Sequence, residues 1–273
     1  MTTLGFIGAG NMGMALIKGF STNREKSREA EIYVYDALYD KREHMRNLGF
    51  SVLESEVEIA KTCKYIVLAC KPLQVAEVLD KIKEHITTET VFISLCAGIT
   101  AECIRGVTDA EKNKITKVVL VMPNMPMLLG EGASALSCDE SVSNTEFAFV
   151  RSVIESCGWV ELIPRDKMNE VICINASSPA FIYLYAKYFI EYAEQNGINP
   201  KAALNLFAKT LIGASKMMTD SGSGIDALIE QVSSKGGTTL AGLEKFYSGG
   251  LEKVVKDACE ACTKKAYELG AEK

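Results

Sequence analysis

The 273-residue sequence has no surplus of positive charge, only two histidines and no long uninterrupted apolar run. Each shortage excludes something. Thirty Lys and Arg against 35 Asp and Glu leave a formal charge of -5. No basic stripe is available for a phosphate backbone, so a nucleic-acid partner is not expected. His44 and His85 are distant in sequence, and no Ser-His-Asp or Cys-His arrangement is apparent. The longest apolar stretch, Val171 to Ile190, contains Asn175, Ser177, Ser178, Pro179 and Lys187. It makes a poor membrane span and a good buried helix. No secretory signal is expected either, because the first structured residues read as a strand with no basic segment before it. The expectation is a cytoplasmic protein without a membrane partner.

Nine cysteines are odd in number and scattered, and Cys70, Cys96 and Cys173 sit within apolar runs. That pattern suits reduced thiols better than a disulfide framework. Cys259 and Cys262 form a C-x-x-C, but in a helical run far from any second cysteine pair. Two helix-face thiols are expected there, and no metal.

The chain is 48% hydrophobic and 24% charged, the balance of a globular protein able to bury a core. Its first part alternates β-rich runs with helical patterns, which predicts a parallel sheet with crossover helices. Candidate strands are Leu4–Ile7, Glu31–Tyr35, Tyr65–Ala69, Val91–Leu95, Lys117–Val121 and Gly132–Ser137. Val75, Val78, Leu79 and Ile82 recur with helical spacing behind Pro72, which suits a helix start. After Trp159-Val160-Glu161 strand signals vanish and helical patterns run to the end. Asp166 can cap a helix running toward Tyr192, Gly197 ends it, and Asn199-Pro200 opens the next. The Gly/Ser-rich stretches at 221–224, 233–239 and 248–250 mark later breaks. The expected architecture is α/β, with a Rossmann-type parallel sheet over 1–163 and an all-helical part over 164–273.

Gly8-x-Gly10-x-x-Gly13 follows a strand and opens a helix, the context that makes this pattern a dinucleotide-binding signature. Gly8 permits the tight turn, Gly10 lets backbone approach the pyrophosphate, and Gly13 lets helix pack on strand. Ile7 and Ala9 complete the loop, and the amides of Asn11 and Met12 point at the phosphates from the positive end of the helix. The second strand ends in Asp36, whose carboxylate suits ribose hydroxyls and repels a 2′-phosphate. Lys41 and Arg42 stand close by and can serve a 2′-phosphate instead. The cofactor is thus NADPH or NADH, with a lean to NADH. Asp36 as a solvated turn residue is the plainer alternative. Ala69-Cys70-Lys71-Pro72 and Cys96-Ala97-Gly98 follow core strands at the edge where open α/β sheets bind ligands, and small residues at the latter leave room for a nicotinamide ring. Met122-Pro123-Asn124-Met125-Pro126 is a stiff loop at the same rim, either shaping a pocket or simply connecting elements. Ser233 to Thr239 gathers hydroxyls, paired glycines and a helix start. It is either a nest of donors for a carboxylate or a capped helix start with flexible glycines.

Taken together, Gly5 to Met12, Ala69 to Pro72, Ser94 to Thr100, Met122-Pro123-Asn124, Ser177 to Phe181 and Val232 to Thr239 resemble the pyrroline-5-carboxylate reductase family over essentially the whole chain. The Met-Pro-Asn segment and the Ser-Ser-x-Gly-Gly-Thr-Thr loop are its specific marks. The resemblance implies hydride transfer from NAD(P)H to the C=N carbon of 1-pyrroline-5-carboxylate, giving L-proline. It also implies an intertwined homodimer, open to assembly into higher oligomers, in which the loop of one subunit faces the nicotinamide of the other. On that mapping Ser234, Gly237, Thr238 and Thr239 hold the substrate carboxylate. Thr239 also contacts the ring nitrogen and relays the proton. A cyclic imine accepts hydride best when protonated, so positioning and one modest donor suffice. Four positions depart from the family: Lys235 replaces a usual proline, Leu120 an arginine, Met125 a threonine and Asn175 a serine. They keep two alternatives in view: a reductase of another cyclic imino acid or a β-hydroxyacid, and a cofactor-binding regulator that has lost catalysis.

Overall fold

A computed structural model describes residues 2–22, 30–109 and 115–271. The polypeptide packs into two units, one of residues 1–179 together with 261–273, the other of residues 180–260.

The first unit is built on eight strands: β1 (Thr2–Ile7), β2 (Ala30–Tyr35), β3 (Ser51–Val52), β4 (Tyr65–Leu68), β5 (Val91–Ser94), β6 (Lys117–Met122), β7 (Gly132–Cys138) and β8 (Gly158–Leu162). They form one sheet in the order β3-β2-β1-β4-β5-β6-β7-β8. All neighbours run parallel except β6 and β7. The chain order reverses between β1 and β4, and the ends of those two strands open the crevice that such sheets use for ligands.

Two faces must be covered, so the central strands are near-continuously apolar, and all four residues of β4 and of β5 are buried. The alternation of side chains sorts them cleanly. Leu4, Phe6, Val67, Val91, Ile93, Val119 and Val121 join one core with α1 (Asn11–Thr22) and α6 (Asn144–Glu155). Ile66, Leu68, Phe92, Val118, Leu120 and Met122 join the other, with α3 (Glu56–Thr62), α4 (Val75–Ile82) and α5 (Ala101–Thr108). Each such side chain contributes about 1.5–3 kcal/mol by leaving water. Between β2 and β3 lies α2 (Tyr39–Asn47), whose Met45 is buried in the first core.

The six candidate strands are present, within a residue or two of their expected ends. Two others were not legible. β3 has two residues, and β8 is an edge strand whose Trp159, Glu161 and Leu162 face solvent while Val160 alone is buried. The expected helix from Asp166 is not formed. Residues Arg165–Lys167 and Glu170–Cys173 make short 3-10 turns, and α7 begins only at Ser178, with Pro179 in its first turn. A proline there loses no helical bond but cannot sit deeper in a helix begun at Asp166.

The helical remainder comprises α7 (Ser178–Gln195), α8 (Pro200–Asp220), α9 (Ile225–Gln231), α10 (Thr238–Ser248) and α11 (Leu251–Ala271). Asn199 caps α8, its Oδ1 accepting from the amides of Lys201 and Ala202. Gly197 after α7 takes φ +79°, the left-handed exit that favours glycine. The end of α11 returns to the first unit, where Ala266 is buried in the second core and the Tyr267 hydroxyl donates to Glu170 at 2.8 Å.

Candidate active site

The glycine loop sits at the carboxyl end of β1, against the end of β4. Gly8 has φ +109°, and a Cβ there would lie 2.6 Å from the Ala69 carbonyl oxygen; one on Gly13 would lie 2.3 Å from that of Gly8. Strand, loop and helix therefore touch backbone to backbone. Gly10 is different: among the described residues the one neighbour within 4 Å of its Cβ position is the Lys41 ammonium, at 3.9 Å. That open space above the start of α1 is what a pyrophosphate requires. The first turn of α1 holds no acidic residue, so nothing anionic competes for the amides of Asn11 and Met12.

Asp36 follows β2 and is 7% exposed, so it is not a solvated turn residue. Its Oδ2 accepts from the Ala9 amide at 2.8 Å and its Oδ1 from the Leu38 amide at 2.9 Å. Lys41 Nζ lies 3.6 Å from Oδ2. Arg42 donates to the Asp36 carbonyl at 2.7 Å and its guanidinium stands over the rings of Tyr35 and Tyr39.

Ala69, Cys70, Lys71 and Pro72 round the end of β4, with Lys71 exposed and its amide donating to Gln74 Oε1 at 3.2 Å. Cys96, Ala97 and Gly98 round the end of β5. The Cys96 thiol is buried and donates to the carbonyls of Leu68 and Cys70, both at 3.3 Å, which ties the two rims together. Gly98 owes its lack of a side chain to α11, not to open space: a Cβ would meet the Ala266 carbonyl oxygen at 2.5 Å. Beside it a cavity of ≈ 330 Å³ opens at the β5–β6 rim, lined in part by Ser94, Cys96, Thr100, Leu120, Met122 and Arg165.

Past β6, Asn124 and Asn175 interlock. Asn124 Oδ1 accepts from the Ala133 amide at 2.9 Å and its Nδ2 donates to the Asn175 carbonyl at 3.2 Å. Asn175 Nδ2 donates to the carbonyls of Met122 at 2.6 Å and Ala133 at 3.1 Å. The Met-Pro-Asn loop is thereby pinned to β7 and to the segment leading into α7. One further cluster is not legible in the sequence because its members are remote from one another. Asp139 takes both Arg105, at 2.7 Å, and Arg165, at 2.8 Å. The Arg105 hydrogen bond holds its carboxyl well below the usual carboxylate range, against the opposing effect of burial.

In the second unit, residues 233–239 form a tight turn into α10. Ser233 Oγ donates back to the Ile229 carbonyl at 2.6 Å, the Gly237 amide donates to the Ser234 carbonyl at 2.9 Å, and Gly236 takes φ +75°. Gly237 caps α10 with no side-chain hydrogen bond, which leaves the first amides of the helix, Thr238 and Thr239, available to an anion. Ser234, Lys235, Thr238 and Thr239 are exposed.

Residues 165–269 match the pyrroline-5-carboxylate reductase dimerisation family, and residues 3–98 match the family described as NADP oxidoreductase coenzyme F420-dependent. A pyrroline-5-carboxylate reductase 3 of Danio rerio is 31% identical over 98% of this chain and 91% of its own length. The chain belongs to the pyrroline-5-carboxylate reductase family. A pyrroline-5-carboxylate reductase of Haemophilus influenzae is 30% identical over 97% of both chains. Among solved structures, the Plasmodium falciparum pyrroline carboxylate reductase with NADP bound aligns over 98% of both chains, with TM-score 0.87 and 28% identity. The chain is thus an oxidoreductase acting on a C=N bond with NADH or NADPH, and the open glycine cradle fits that cofactor.

The positions that depart from the family occupy different settings. Leu120 is buried in β6 and lines the rim cavity, Met125 is 40% exposed where a 3-10 turn follows Asn124, and Asn175 belongs to the amide interlock. Lys235 stands exposed in the turn before α10. None of the four interrupts the glycine cradle or the Gly236-Gly237-Thr238-Thr239 helix start. Cys259 and Cys262 are free thiols on α11.

Proposed function

We propose that this protein reduces 1-pyrroline-5-carboxylate to L-proline, the last step in making that amino acid. Hydride passes from the nicotinamide of NAD(P)H to the imine carbon, and a proton ends on the ring nitrogen. Ile7 to Met12 hold the pyrophosphate, with Asp36 behind the loop, while Ala69 to Pro72 and Cys96 to Gly98 border the nicotinamide end. The amides at Gly237, Thr238 and Thr239 and the Ser234 hydroxyl take the substrate carboxylate. Thr239 is the catalytic donor to the nitrogen. The observation that carries this assignment is the start of α10, where the N-cap Gly237 offers no side-chain hydrogen bond and Thr238 and Thr239 are both exposed. No strong base is required, because a protonated imine is already electrophilic and orientation supplies most of the acceleration.

Residues 1–163 serve the cofactor and 164–273 serve substrate and dimerisation. The chain acts as a homodimer, open to assembly into a larger oligomer of dimers. Within residues 180–260 only Ala193 and Ala203 are buried, while large side chains such as Tyr188, Tyr192, Leu206 and Val254 are exposed. A helical unit with so much apolar surface and so little core needs a partner surface. Among the described residues no helix is long and apolar enough to cross a membrane. Nine scattered cysteines, read as reduced thiols, favour a reducing, cytoplasmic setting.

The test is purified protein with 1-pyrroline-5-carboxylate, followed by NADH and NADPH oxidation in parallel. Turnover with proline as product is expected, and none with either cofactor would refute the assignment. Thr239→Val is expected to cut kcat by roughly a hundred-fold. Its cofactor affinity should stay near that of the parent protein; an undiminished kcat would remove Thr239 from the mechanism.

A further inference from the structure

We propose that Lys41 is the residue that recognises the 2′-phosphate of NADPH, and that it does so partly by masking Asp36. The inference deepens the oxidoreductase reading by asking which cofactor the ribose pocket prefers. It rests on the division of labour among three charged groups at the end of β2. Asp36 is the group that would ordinarily choose NADH, since a carboxylate there accepts the ribose hydroxyls and repels a phosphate. Here each of its oxygens already accepts a backbone amide, from Ala9 and from Leu38. Its remaining charge faces the Lys41 ammonium at 3.6 Å. The carboxylate therefore fastens the glycine loop to β2, and its repulsion of an incoming anion is offset.

The two cations differ in what they can reach. Arg42 is committed to the β2–α2 turn: its guanidinium donates to the carbonyls of Asp36 and Ala37, and its side chain is only 16% exposed. Lys41 is 42% exposed, and its ammonium borders the open space above Gly10. Its ammonium thus stands between the open space at Gly10 and the Asp36 carboxylate, partly exposed and within reach of an anion bound at the end of β2. Four rotatable carbons let it swing a short distance from Asp36 to a phosphate oxygen, forming a charge-assisted bond that NADH cannot offer.

Cofactor binding in the absence of imine is the measurement, so the result does not depend on the identity of the substrate. Kd values for NADPH and NADH are obtained by nicotinamide fluorescence for the full-length protein and for Lys41→Met and Lys41→Arg. The Met variant is expected to lower the preference for NADPH over NADH by about ten-fold, the loss of one ionic hydrogen bond. The Arg variant should retain most of that preference. In the parent protein, raising salt from low to physiological strength should weaken NADPH binding more than NADH binding, a readout that needs no variant. A preference unchanged in Lys41→Met, or equal salt dependence of the two cofactors, would overturn the proposal. Failure of imine turnover alongside a Lys41-dependent preference would instead count against the substrate assignment alone.

Discussion

Asp36 shows how far one residue's meaning depends on its partners. By position it is a ribose acceptor; by geometry it is a clasp joining the first turn of the glycine loop to the turn after β2. A carboxylate can accept two amides, whereas an asparagine offers one oxygen and turns a donor toward the second. Asp36→Asn is therefore expected to destabilise the protein by about 1–3 kcal/mol, the cost of stranding a buried amide. A lowered urea midpoint checks it, and an unchanged midpoint would show that the stranded amide finds another acceptor. A cofactor switch attempted at Asp36 would therefore disturb the loop as well as the ribose pocket. Lys41, further from the fold's own hydrogen bonds, is the cleaner place to change selectivity.

At the scale of an element, α6 illustrates how a local motif and distant charges combine. Ser143 and Glu146 form a capping box, the serine hydroxyl accepting from the Glu146 amide while the Glu146 carboxylate accepts from the Ser143 amide. That much is legible in Ser-Asn-Thr-Glu. The structure adds Lys117 at 2.9 Å and Lys64 at 3.3 Å, from β6 and from the start of β4. Burial pushes the Glu146 carboxyl up, but the Lys117 bond and the Ser143 cap outweigh it and bring the pKa down to about 2. The group is thus more acidic in the folded chain than its ordinary 4.5. Its contribution is complete above the unfolded value and is lost as pH falls through the folded one. Urea midpoints should therefore fall between pH 4.5 and about 2. Glu146→Gln should be less stable at neutral pH and show a shallower fall across that window. Parallel curves for the two proteins would show that the ion pairs do not couple folding to pH.

For the whole molecule the decisive fact is the contrast between its two units. The sheet is closed on both faces by helices of its own chain, whereas residues 180–260 bury two alanines and leave most of their aromatics exposed. Light scattering should give a dimer or a multiple of it. A charge on that apolar surface, Leu206→Asp, is expected to shift the protein toward monomer and to abolish imine reduction. NADH and NADPH binding should survive, because the cofactor cradle lies in the other unit. A variant that remained dimeric would place the interface elsewhere.

What the sequence by itself determined are features written in neighbouring residues. The glycine spacing after β1, the continuous apolar strands, the Asn199 cap and the helix start at Gly237-Thr238 each depend on local geometry or on a short period. The substrate-loop assignment came instead from family resemblance, since a turn of hydroxyls and glycines is equally a helix start. Tertiary structure alone decided the rest. Edge strand β8 has one buried residue and so no pattern to read. Asp166 lies inside a 3-10 turn, and α7 begins only at Ser178, with Pro179 in its first turn. Gly98 is small because α11 returns across it from the far end of the chain. Asp36 is a clasp because Ala9 and Leu38 aim their amides at it. The Ala9–Asp36 and Gly98–Ala266 contacts join residues far apart in the chain that only the tertiary fold brings together. Their energies depend on distance and direction in space, which spacing along a chain does not encode.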